Sequence, residues 1–138
     1  MKKLILLITL FAFTVMASAQ FTVGVKLANA TTDSIKTGAL TVTKYISLSA
    51  GYMNVSIQPV VTKVSGTVGG IARLYGTVDG TNYIATKDTL TLTDIATNTV
   101  IWKITTSPYA KYKIVAVGTG TMNAVMRTWY LARKTITQ

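Results

Sequence analysis

The chain has 138 residues, 49% of them hydrophobic, with 14 Lys and Arg against 4 Asp and Glu and a formal charge of +10. It contains no histidine, cysteine or glutamate, so its side-chain carboxylates are Asp33, Asp79, Asp88 and Asp94. These absences remove the commonest general acid–base groups and the nitrogen and sulfur ligands of transition-metal sites, and favour a protein that binds or builds over an enzyme.

In chain order, Lys2 and Lys3 precede an apolar run from Leu4 to Val15 and a small-residue Ala17-Ser18-Ala19 site. This pattern reads as a signal peptide over 1–19, cleaved before Gln20. The other reading is an N-terminal membrane anchor, although the apolar stretch from Leu4 to Ala19 falls just short of the ~20 residues that span a bilayer. Residues 20–138 are then one domain, and loss of Lys2 and Lys3 lowers the net charge to +8. No cysteine is present to staple the fold, so packing and backbone pairing must hold it.

Phe21 to Leu27 alternates apolar and polar residues as a strand does, and Ala28 to Gly38 has the Asn, Thr, Asp and Ser content of a loop. Ala39 to Leu48 is a second strand region and Met53 to Val64 a third, in which Pro59 predicts a bulge or an edge position. In Val68 to Val78, Ala72, Leu74, Gly76 and Val78 share one face, and Arg73, Tyr75 and Thr77 the other. Asp79-Gly80-Thr81-Asn82 predicts a tight hairpin, because Gly supplies positive φ without steric cost.

Asp88 to Asp94 places Leu90 and Leu92 opposite Thr89, Thr91 and Thr93, and Val100, Trp102 and Ile104 continue the alternation. Ser107-Pro108 interrupts it, Tyr112 to Val117 resumes it, and Gly118-Thr119-Gly120 turns into a last strand, Met122 to Arg133. About eight or nine strands without room for crossover helices predict an all-β fold, an antiparallel β-sandwich of jelly-roll-like or immunoglobulin-like winding.

Candidate sites are few. Asp79, Asn82 and Asp88 are oxygen donors of the type calcium takes, but turn and strand-start chemistry accounts for them, so no metal site is assigned. No G-x-S-x-G elbow occurs, and no catalytic or cofactor-binding residue is assigned either. Tyr45, Tyr52, Tyr75, Tyr83, Trp102, Tyr109, Tyr112, Trp129 and Tyr130 offer aromatic surface for sugars or for protein contacts, with core packing the default. Trp102 reads as buried and Tyr75 as the better candidate for exposure. If Ala110 to Val117 pairs with Met122 to Arg133, then Lys111 and Lys113 join Arg127 and Arg133 in one basic patch; the default is a solvated face whose lysines discourage edge-to-edge aggregation. A positive surface of this kind attracts acidic glycans or acidic protein faces. Nucleic acid is disfavoured by the export signal and by the lack of a basic-aromatic motif.

Four segments carry a resemblance: Val60 to Thr67, Leu74 to Tyr83 with its Asp79-Gly80-Thr81-Asn82-Tyr83 hairpin, Ser107 to Ile114 with Pro108-Tyr109 and Tyr112-Lys113, and Gly118 to Met122. Together they resemble small β-rich structural proteins of bacteriophage virions. The likeness covers roughly Met53 to the C-terminus and lies in hairpin chemistry. It implies a virion surface, decoration or fibre component. The expected function is thus a non-catalytic structural protein, exported or at a cell or virion surface, that self-associates or decorates a particle. The alternative is an exported glycan-binding or adhesive module that uses exposed tyrosines and basic side chains.

Overall fold

Val, Ile, Thr and Tyr suit a pleated, half-buried surface, and the longest strand among the described residues, Tyr52–Ser65, holds Tyr52, Val55, Ile57, Val60, Val61, Thr62 and Val64. The computed structural model describes residues 25–26, 33–36, 42–48 and 52–134. The signal-like segment 1–19 and most of the first predicted strand lie outside the described residues. Ten strands are present among the described residues: β1 (Val25–Lys26), β2 (Asp33–Lys36), β3 (Val42–Ser47), β4 (Tyr52–Ser65), β5 (Gly69–Thr77), β6 (Ile84–Leu92), β7 (Thr97–Thr99), β8 (Trp102–Ile104), β9 (Lys111–Thr119) and β10 (Asn123–Lys134). They form two wholly antiparallel sheets.

In sheet A, β4 and β10 pair along nearly their whole lengths, from Asn123 opposite Ser65 to Lys134 opposite Tyr52. Each is flanked by an edge made of two short pieces, β2 and β1 beside β10, β7 and β8 beside β4. Sheet B has the order β3-β9-β5-β6. Counting each two-piece edge as one strand leaves eight positions, ordered 1-8-3-6 in sheet A and 2-7-4-5 in sheet B. That interleaving of two Greek keys is a jelly roll, which decides between the two windings expected from the sequence.

The inward faces meet in one core. Sheet A contributes Val55, Ile57 and Val61 with Ala124, Met126 and Trp102, and sheet B contributes Ala72, Leu74, Ile114, Ala116, Tyr112 and Ile46. Period-two burial along β9, with Tyr112, Ile114, Ala116 and Gly118 inside, is the alternation read from the sequence.

Several expectations are corrected. The predicted loop Ala28 to Gly38 contains β2, whose Ile35 is fully buried against β10; one apolar residue among polar ones leaves no readable period. Pro59 occupies neither an edge strand nor a bulge: β4 is central, and Pro59 lies opposite Thr128 of β10. Its carbonyl accepts from Thr99 Oγ1 at 3.0 Å on the other side. Because N and O of one strand residue point the same way, its missing N–H faces the gap between β7 and β8, where no partner strand needs a donor. The segment Val100 to Ile104 is likewise broken there, leaving β8 as the short piece that carries Trp102.

The hairpin at Asp79-Gly80 does pin β5 against β6, but its loop runs over residues 78–83 and is wider than a two-residue turn. Asp88 does not begin a strand. It sits inside β6 at a bulge, where 86–88 face Leu74, and there Thr86 Oγ1 donates to the Leu74 carbonyl while the Asp88 N–H donates back to Thr86 Oγ1. Val78 lies past the end of β5 and is exposed, whereas Thr77 is buried.

Candidate functional site

The sandwich presents two outer faces and a hairpin end, and the sequence-predicted residues divide among them. Sheet B places Tyr45, Lys113 and Tyr75 in one cross-strand row, β3 to β9 to β5. Tyr83, from the hairpin loop, closes over it: Lys113 Nζ lies 4.5 Å from the Tyr83 ring centre and 5.4 Å from that of Tyr75. Tyr45 meets Tyr83 edge-to-face at 6.0 Å. The ammonium is thus already held by two ring faces, and the cluster ties the hairpin loop to three strands of its own sheet.

The loop itself is organised by Asp79. Its carboxylate accepts from the Thr77 hydroxyl at 2.7 Å, from the Thr81 and Asn82 amides at 2.9 and 2.8 Å, and from Asn82 Nδ2 at 2.6 Å. The Thr77 hydroxyl, followed by the two amides, holds the Asp79 carboxyl far below the usual carboxylate range. Gly80 takes the positive φ of 82° that the loop demands. Gly76 serves differently: a methyl group there would collide with the ring of Tyr109, which lies over the strand. Tyr109 in turn packs edge-to-face on Tyr112, and the Tyr112 and Ser107 hydroxyls are 2.5 Å apart. The hairpin segment and the Ser107 to Ile114 segment are therefore neighbours in sheet B, interlocked through Gly76–Tyr109 and Tyr83–Lys113.

At the opposite end, Asp94 accepts from Lys63 Nζ and from the Val68 amide, each at 2.8 Å, and joins the β4–β5 turn to the crossing from β6 to β7. Those two donors, Lys63 first, lower its pKa. Among the described residues no three His, Cys, Asp or Glu side chains gather at one point. Asp79 and Asn82 bond to each other, and Asp88 is engaged separately with Thr86 at 3.1 Å.

The basic patch that pairing of β9 with β10 would make is not formed. Gly118-Thr119-Gly120 carries the chain from sheet B to sheet A, so Lys111 and Lys113 belong to one sheet and Arg127 and Arg133 to the other. Nor do the aromatics form one platform. Trp102, Tyr112 and Tyr130 are core residues, Tyr45 and Tyr75 of sheet B cluster with Tyr83 of the hairpin loop, and Trp129 stands on the outer face of sheet A, 41% exposed. Tyr75 is only half-buried, and Trp129 is the residue that sequence reasoning underrated. Its alternation with the buried Thr128 and Tyr130 was available as a signal.

Around Trp129 the outer face of sheet A follows the register Arg127, Trp129, Leu131, Arg133 along β10, opposite Val60, Gln58, Ser56 and Asn54 of β4. Lys103 of β8 pairs beside Ser56. Lys103, Arg133, Asn54, Ser56 and Leu131 line a shallow depression of about 420 Å³.

The hairpin end has another character. Val78 and Ile84, which flank the loop, are 71% and 65% exposed, and Tyr45 in the adjoining row is 65% exposed. No protein-family model matches the chain, and no curated protein shows significant similarity to it.

Proposed function

We propose that this protein is a non-catalytic structural and interaction protein, a component of a virion or other surface assembly of phage type that self-associates or decorates a particle. The observation that carries the reading is at the hairpin end: Val78 and Ile84, which flank the loop, leave large apolar side chains exposed, as does Tyr45, which packs on Tyr83 of the loop. Exposed large apolar side chains at the end of a sandwich are what a protein contact covers. The loop that presents them is held firmly by Asp79 and by the Tyr83–Lys113 contact, so little ordering entropy is lost when a partner docks.

The disposition of the polar groups supports the same reading. Asp79, Asp88 and Asp94 all serve turn, bulge and crossing geometry. The jelly roll is an architecture used in capsid and lectin domains, and it supplies a rigid block with two broad faces; the fold alone does not dictate the role. Two of the four segments that resemble phage structural proteins, Leu74 to Tyr83 and Ser107 to Ile114, interlock in sheet B. Size-exclusion chromatography with light scattering, over a range of concentrations, and co-sedimentation with candidate particles test the proposal. It expects a discrete oligomer or particle-bound protein; a monomer at all concentrations that pellets with no particle contradicts it.

A further inference from the structure

We propose that the outer face of sheet A is a binding track for an acidic polysaccharide, with Trp129 as the stacking platform and Lys103, Arg127 and Arg133 as the cations that pair its acidic groups. This surface lies on the sheet opposite the hairpin end and does not depend on self-association.

Four observations carry it. Arg127, Trp129, Leu131 and Arg133 alternate outward along one strand, so the two guanidinium-bearing residues bracket the indole over about 20 Å of strand. That length suits several sugar rings. Lys103 and Arg133 meet at a depression of about 420 Å³ whose other polar lining is the amide and hydroxyl groups of Asn54, Ser56 and Thr105. Neutral donors and acceptors beside cations match the hydroxyls and acidic groups of a uronate or sulfated sugar.

Among the described residues, no carboxylate holds an outward register position on this sheet, so the cations have no acidic neighbour there to neutralise them. The exposed Trp129 presents a large apolar ring that the core does not use. The comparison with sheet B sharpens the choice, because Lys113 there is already engaged by Tyr75 and Tyr83. A single tryptophan fits a sugar polymer better than a single-stranded nucleic acid, which calls for a series of stacking aromatics.

The test titrates the whole chain at 150 mM salt with polygalacturonate, dextran sulfate, neutral dextran and an oligothymidylate. Saturable binding to either acidic polysaccharide is expected, with acrylamide quenching of Trp129 reduced at saturation while the buried Trp102 is unaffected. Lys103→Gln, Arg133→Gln and Trp129→Ala each weaken binding by about tenfold, the scale of one lost charge-assisted contact or stacked ring. Arg133→Lys retains part of the affinity, and Lys87→Gln, on sheet B, stays within about twofold because it removes only distant charge. The proposal is overturned by absence of saturable binding to both acidic polymers, by an equal loss in Lys87→Gln, or by tighter binding to the oligothymidylate. Thermal midpoints of the variants separate misfolding from lost contact: a variant that unfolds early is replaced by Arg127→Gln, for which the same tenfold loss is required.

Discussion

Thr106 is the non-glycine residue with positive φ among the described residues, at 54°, in the tight turn that follows β8. A β-branched side chain is poorly suited to the left-handed region, whereas asparagine tolerates it. Thr106→Asn is therefore expected to raise stability by about 1 kcal/mol, measured as a higher urea midpoint at unchanged slope. Gly76 works in the other sense, since the Tyr109 ring occupies the space a methyl group needs. Gly76→Ala should cost about 1–3 kcal/mol through overpacking, and the double variant with Tyr109→Ala should recover part of the single-site loss of packing strain. Neither position reveals itself in the sequence. Gly76 looks like one more inward residue of a strand, and its partner Tyr109 is more than 30 residues away in the chain.

At the scale of elements, the crossing from β6 to β7 depends on Asn98. Its Oδ1 accepts from the Thr93 amide at 2.9 Å and the Thr93 hydroxyl at 3.1 Å, and its Nδ2 donates to the Thr93 carbonyl at 2.9 Å. All three bonds are made by the buried Asn98 side chain, so Asn98→Ala should destabilise by about 1–3 kcal/mol. Hydrogen exchange would show the loss first at the β7 amides that pair with Val60 to Thr62.

Elements with strong local chemistry were legible: the Asp79-Gly80 hairpin, the period-two faces of β5 and β9, the buried Trp102. What local pattern does not contain is which sheet a strand joins. Gly118-Thr119-Gly120 has the composition of a hairpin turn, yet it links β9 in sheet B to β10 in sheet A, and the basic patch inferred from pairing them dissolves for that reason. The bulge opposite Leu74 is hidden in the same way, because Thr86-Lys87-Asp88 reads equally as a turn between two strands. The candidate surfaces inherit this division: that aromatics and cations matter was readable, while the preference for Trp129 over Tyr75 required knowing that Lys113 lies between two tyrosine rings.

For the whole molecule, the composition sets the pH behaviour. With no His, Cys or Glu, no side chain titrates between the aspartates and the tyrosines. The carboxyls of Asp79 and Asp94 are depressed in the fold, so they contribute stability above about pH 4, the unfolded value, that is lost as pH falls toward their folded values. Tyr112 and Tyr130 are raised, burial being the main cause in each, so they contribute stability below about pH 10 that is lost as pH rises through their folded values. The thermal midpoint is thus expected to be level from about pH 5 to pH 9 and to fall on either side.

The central claim concerns the apolar hairpin end as a contact surface, and light scattering on the wild-type chain beside a Val78→Lys, Ile84→Lys double variant tests it most directly. Both side chains are exposed, so the variant should keep its thermal midpoint. The account predicts a wild type that oligomerises or pellets with a particle and a variant of equal stability that does neither; a wild type that is monomeric and particle-free throughout, or an assembly untouched by the two lysines, would contradict it.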